Sequence, residues 1–185
     1  MASSDAPSSR PTSLAPSATD GVSEQMTAAR ALHPAAGGSA GPDTTTTHGP
    51  LDTSILRDIA AGLAQAVDVG GVGQDGDGPG PWEVQSTRLL ATEAYDVWCM
   101  VWGAAALSAA HDHDGSVGVV QVVTGALLET SLGIDSAVPT PLRRLGPGDV
   151  VEFAAAEFHS LFNPTSAVTV TVNVYSPPLG EPPAA

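Results

Sequence analysis

Ala110-His111-Asp112-His113-Asp114-Gly115-Ser116, running on into Val117-Gly118-Val119-Val120-Gln121-Val122-Val123, decides how this chain reads. Side chains alternate between the two faces of a strand. His111 and His113 are therefore expected on one face, with Asp112 on the other. Two imidazoles side by side form a two-point chelate, and a third ligand from another strand completes a metal site. His159 in His159-Ser160-Leu161-Phe162-Asn163 is the candidate, behind the strand that opens at Gly148-Asp149-Val150. Of the five histidines, the other two are His33 and His48, which fall in a segment expected to be disordered. Imidazole nitrogens suit Zn(II) as well as iron, so the ligands alone do not select the metal.

Charge narrows the partners. The 185 residues include no lysine and six arginines against twenty acids, a net charge of −14. Such a chain lacks the basic face that nucleic acid or an anionic membrane requires, and self-repulsion favours a monomer. Cys99, the single cysteine, cannot close an internal disulfide, which fits a reducing compartment. No apolar run is long enough for a membrane span and no secretory leader is recognisable, so cytoplasm is the expectation.

Residues 1–50, rich in Ala, Ser, Thr, Pro and Gly, hold too little apolar surface to offset the entropy of ordering. They read as a disordered extension, and one domain is expected over 51–180. Ile55, Ile59, Leu63 and Val67 recur every four residues, with Leu56 and Ala60 beside them. That spacing predicts an amphipathic helix over 52–67, capped by Asp52 or Thr53 and stopped by Gly70-Gly71. Its apolar stripe must pack on the outside of a sheet. Asp75-Gly76-Asp77-Gly78 lacks the bidentate glutamate of a calcium loop and reads as surface.

From Trp82 onward the text is β. Strands are expected at Glu83–Leu90, Tyr95–Trp102, Ser116–Thr124, Ala126–Gly133, Asp149–Phe153, His159–Phe162 and Ala167–Tyr175. Many short strands without helical periodicity between them predict a mainly β sandwich or barrel. In the last strand Val168, Val170, Val172 and Val174 share one face, and Thr169, Thr171, Asn173 and Tyr175 the other. If the polar face looks into a barrel, it delivers a phenol, an amide and a hydroxyl to the metal.

With these pieces assembled, residues 51–180 resemble the cysteine dioxygenase family of the cupins. The matching segments are Thr87-Arg88-Leu89-Leu90, Trp102-Gly103, His111-Asp112-His113 with Ser116, and Gly125 with Glu129. Pro147-Gly148-Asp149-Val150, His159-Ser160-Leu161-Phe162-Asn163 and Val174-Tyr175-Ser176-Pro177-Pro178 complete the set. The resemblance implies a single cupin barrel, a double-stranded β-helix or jelly roll, with an N-terminal helix. It implies Fe(II) held by His111, His113 and His159, and L-cysteine oxidised with O2 to cysteine sulfinate. Arg88 would bind the substrate carboxylate, and Tyr175 would stand beside the thiolate and oxygen. Gly118 occupies the position where animal members carry the cysteine linked to that tyrosine, so no crosslink is expected. Ser176-Pro177 is a candidate cis peptide.

Two departures stand out. The family's Ser-x-His-x-Tyr relay reads Thr171-Val172-Asn173-Val174-Tyr175, and an amide orients a neighbour but does not take its proton. Ser86 stands where a tyrosine is usual, two residues before Arg88. Alternatives are therefore another small thiol carboxylate, such as 3-mercaptopropionate, or a cupin that binds metal without turnover.

Overall fold

The computed structural model describes residues 49–70, 78–132 and 140–180. The expected disordered extension and the Asp75–Asp77 part of the glycine-rich loop lie outside the described residues. One helix, α1 (Thr53–Ala64), precedes eight strands: β1 (Val84–Ala91), β2 (Asp96–Trp102), β3 (Val117–Thr124), β4 (Leu127–Leu132), β5 (Arg143–Leu145), β6 (Val150–Phe153), β7 (Phe158–Phe162) and β8 (Thr169–Ser176). Two antiparallel sheets face each other, one in the order β1-β2-β8-β3-β6 and the other β5-β4-β7. This is the cupin barrel with its N-terminal helix. Among the described residues no helix is long and apolar enough to cross a membrane.

Strict alternation builds both layers. Trp98, Met100, Trp102, Val120, Phe153, Leu127, Leu161 and Tyr175 fill the space between the sheets. On the opposite faces of the same strands Val97, Val119, Val172 and Val174 turn outward and are sealed by α1. β8 is consequently buried on both faces, with valines under the helix and Thr171, Asn173 and Tyr175 facing inward. Polar side chains inside and valines outside is the arrangement the last strand's pattern predicts for a barrel with a polar interior.

Asp52 caps α1, its carboxylate accepting the Ser54 N–H at 2.8 Å, and those hydrogen bonds hold its acid below the ordinary range. The helix ends at Ala64, earlier than the stripe to Val67 predicts. Ala66 and Val67 donate their N–H groups back to the Leu63 carbonyl in a turn, and Val67 still packs under the helix from that turn. The buried face is centred on Leu56 and Ala60, both fully buried, whereas Ile55 is 47% exposed. Ala60 has no bulk beyond its methyl, so the helix approaches the sheet along the Leu56–Ala60 line and Ile55 rotates away. β5 went unforeseen. Only Leu145 of its three residues is buried, so Arg143-Arg144-Leu145 carries no strand pattern.

Leu56→Ala should therefore destabilise the protein by about 2–5 kcal/mol in chemical denaturation. Ile55→Ala should stay within about 0.5 kcal/mol of the parent, although periodicity alone ranks the two positions alike.

Candidate metal centre

His111 and His113 do not lie in a strand. The segment between β2 and β3 crosses to β7, where His111 N–H donates to the His159 carbonyl at 3.1 Å and His159 N–H to the His111 carbonyl at 2.9 Å. A second bridge, Leu107 to Phe162, and Ser108 N–H on the Leu161 carbonyl hold the earlier part of the segment to the same strand. A turn follows at once, with Asp114 at φ 48° and Gly115 at φ 93°, closed by Ser116 N–H on the His113 carbonyl at 3.0 Å. Both imidazoles nevertheless lie on one side, as expected for a strand.

The three rings meet. Their centroids lie 5.2 Å (His111–His113), 4.6 Å (His111–His159) and 4.7 Å (His113–His159) apart. One ring nitrogen from each lies within 4.8 Å of the others. His111 Nδ1 is 2.6 Å from the Ala109 carbonyl, which fixes the proton on Nδ1 and leaves Nε2 as a bare lone pair. That Nε2 stands 3.1 Å from His159 Nε2. Two donors on adjacent positions of one ion, each at a bond length of about 2.1 Å, stand roughly 3.0 Å apart. Both nitrogens of His113 and Nδ1 of His159 are buried without a hydrogen-bond partner. Each ring gives one nitrogen to an ion, so a shared cation accounts for one of the two unmet His113 nitrogens, beside the Nε2 atoms of His111 and His159.

Electrostatics agree with geometry. Burial, then the neighbouring His111, pushes His113 down to about 3. Burial, then both other histidines, drives His159 well below 6.5, and burial lowers His111. All three imidazoles are neutral at physiological pH, the form in which they coordinate. No carboxylate joins the cluster among the described residues.

Around the rings the wall is aromatic and apolar. Phe153 lies against His159 at 3.6 Å between centroids, and Tyr175 against His113 at 4.6 Å. Tyr175 has room because its cross-strand partner is Gly118, where an added Cβ would stand 2.9 Å from the tyrosine ring and 3.5 Å from His113 Nδ1. Met100, Trp102, Ser108, His111, His159, Leu161, Asn173 and Tyr175 enclose a cavity with about 10 Å³ of water-accessible volume, room for about one water.

Asn173 Nδ2 donates to Tyr175 Oη at 3.2 Å and to Met100 Sδ at 2.8 Å. Burial pushes the phenol up to about 12, opposed by the Asn173 bond and reinforced by Asp96. The hydroxyl is thus protonated, accepts from the amide, and keeps its own O–H for the cavity. Thr171 does not extend this line. Its hydroxyl accepts the Trp102 indole N–H at 3.1 Å, so the expected row of three joins only at Asn173 and Tyr175.

Arg88 does not line the cavity. It is exposed on the edge strand β1, with Cζ 4.5 Å from the Trp98 ring centroid, although its register partner Trp98 and Asn173, the partner of Trp98 on β8, face inward. Trp98 itself was missed in the sequence. Its signal was the alternation Asp96, Trp98, Met100, Trp102, which assigns four consecutive inward positions to β2. Asn163, the last residue of the His159 motif, is structural: its amide donates to the Gly103 and Ala167 carbonyls at 2.9 and 2.8 Å. Ser176-Pro177 is cis, as expected.

Neutral buried histidines make the metal-free protein sensitive to acid. Above pH 6.5 the folded and unfolded chains are both unprotonated at these sites, and stability is flat. Below 6.5 only the unfolded chain takes protons, so stability falls as pH falls, by up to about 1.4 kcal/mol per unit for each histidine. Thermal melts of the metal-free protein between pH 7.5 and 5 should show this drop, and His113→Gln should remove part of it.

Residues 84–182, more than half of the chain, match the family described as cysteine dioxygenase type I. A search of curated proteins finds no match. Among solved structures, TT1209 from Thermus thermophilus is 16% identical with a TM-score of 0.47, over 53% of this chain and 87% of that one. KdgF from Halomonas sp. is 21% identical with a TM-score of 0.45, over 51% and 78%. The Schizosaccharomyces pombe Cnp3 cupin domain is 11% identical with a TM-score of 0.45, over 50% and 60%. These structural scores are low, and the assignment rests on the family match together with the order of the strands and the three converging histidines. The chain belongs to the cysteine dioxygenase type I family.

Proposed function

We propose that the protein is a thiol dioxygenase that holds Fe(II) with His111, His113 and His159 and converts L-cysteine to cysteine sulfinate. The observation that carries the reading is a cluster of three neutral imidazoles, without a carboxylate, inside a barrel of this family. Bound there, iron supplies the redox chemistry that joins a thiol to O2, the net change being RSH + O2 → RSO2H. Three neutral ligands contribute no negative charge, so the site favours an anionic partner, and a thiolate is one. Phe153, Trp102, Leu161 and Met100 keep bulk water from the reacting atoms. Tyr175 offers its O–H to sulfur or oxygen in the cavity, while Asn173 orients the phenol. The proton stays on that oxygen, because an amide cannot relay it.

Arg88 is the cation for the substrate carboxylate. Arg57 and Arg143 are paired with Glu152 and Glu129; Arg88 and Arg144 have no carboxylate partner among the described residues, and of these two Arg88 stacks on Trp98, the cross-strand partner of Asn173. The small cavity takes the sulfur head, and the rest of the substrate reaches outward to β1. Because Arg88 stands at the barrel's edge rather than at its centre, a thiol carboxylate of different reach, such as 3-mercaptopropionate, is the second reading. A single cysteine and the charge of −14 fit a monomer in the reducing cytoplasm.

The iron-loaded protein should consume one O2 per cysteine and form sulfinate with both oxygens drawn from 18O2, read by mass spectrometry. His159→Ala should abolish iron retention and oxygen uptake together. Arg88→Gln should raise KM for cysteine about tenfold or more while iron content is unchanged. Iron-loaded protein that consumes no oxygen with any thiol would replace the enzyme by a metal-binding cupin.

A further inference from the structure

Three buried polar atoms on neighbouring inward positions of β2 and β8 lack a partner: Trp98 Nε1, Asp96 Oδ1 and Asn173 Oδ1. Trp98 pairs directly with Asn173 on one side and with Arg88 on the other. The same strand shows what a satisfied indole looks like here. Trp102, 1% exposed, gives its N–H to Thr171 Oγ1, whereas Trp98, 5% exposed, gives its N–H to nothing. An unmet donor at that depth is costly and calls for a partner, and a ligand group is one that would complete it.

Beside it stands a cation that no acid claims. The Arg88 guanidinium lies over the Trp98 ring at 4.5 Å from the centroid. Stacking on an aromatic plane holds a guanidinium in place through its face and leaves the N–H groups on its edge free for an anion. In a chain of net charge −14, Arg88 has no carboxylate partner among the described residues. A guanidinium edge and a buried indole N–H thus occupy adjacent positions of one cross-strand row, whose next member, Asn173, holds Tyr175.

We propose that Trp98 sets the specificity of the site for carboxylate-bearing thiols: its ring positions Arg88, and its indole N–H is the second donor to the substrate carboxylate. This rests on the thiol-acid reading above and deepens it. A carboxylate has two oxygens, one for the guanidinium and one for the indole. A thiol without that group leaves both donors unmet.

Binding separates this from turnover. Under argon, isothermal titration of the iron-loaded protein with 3-mercaptopropionate and with cysteamine, which lacks the carboxylate, compares the two substrate types. Trp98→Phe keeps an aromatic platform and loses the N–H. It should weaken 3-mercaptopropionate about tenfold and leave cysteamine unchanged. Trp98→Leu loses the platform as well and should weaken the acid further. Should either variant fold poorly, the parent answers alone: in zinc-loaded protein labelled with 15N at its indoles, one buried indole resonance should move with 3-mercaptopropionate and not with cysteamine. Equal behaviour of the Phe variant and the parent, equal weakening for both thiols, an unmoved indole signal, or no binding of the acid by the parent would overturn the proposal. Intact carboxylate selectivity without sulfinate formation would instead sink the dioxygenase reading and leave the role of Trp98 standing.

Discussion

The reciprocal pair of backbone hydrogen bonds between His111 and His159 is the constraint on which the site depends. It is the bond pair that ties the first histidine itself to a strand. Residues 103–116 between β2 and β3 form no strand of their own, and one bridge to β7 brings two imidazoles against the third. Leu107 makes a similar bridge to Phe162, and Asn163 anchors the end of β7 to the Gly103 carbonyl. The crossing segment is therefore pinned at its start, its middle and its end. A loop so held costs little further entropy when a ligand arrives, which is how a short segment supplies two ligands with strand-like fidelity.

Burial then determines the chemistry. The same low-dielectric wall that lowers all three histidines raises Tyr175 to about 12. One side of the cavity is thereby a set of lone pairs and the other a retained O–H. These opposite shifts share a cause, because both keep the uncharged form of the group. Gly118 makes the arrangement sterically possible by leaving the tyrosine ring space beside His113. The outer face of the same strand, β8, is covered by α1, so the helix that shields Val172 and Val174 also stiffens the backbone carrying Asn173 and Tyr175.

Much of this was legible in the residues. Valines alternating with Thr171, Asn173 and Tyr175 announced a barrel with a polar interior, and His111, His113 and His159 announced the cluster. Of the two candidate caps, Asp52 and Thr53, the helix uses Asp52. The failures share a physical origin: they concern features that side-chain periodicity does not encode. An HxH pair in a pinned loop looks the same as one in a strand. β5 has one buried side chain and no pattern. The choice between Ile55 and Leu56 as the centre of the helical face depends on the closeness that Ala60 allows. Arg88 was expected at the substrate, and the structure leaves it exposed on the edge strand β1. Its placement over Trp98 depends on a cross-strand partner that only the pairing of β1 with β2 reveals.

The central claim is that three imidazoles hold one ion, and X-ray absorption at the metal edge of the purified, iron-loaded protein tests it most directly. Three imidazole nitrogens at about 2.1 Å, with the outer-shell scattering characteristic of their rings, are the predicted result. A first shell with fewer than three imidazoles, or one containing a protein carboxylate, would contradict it.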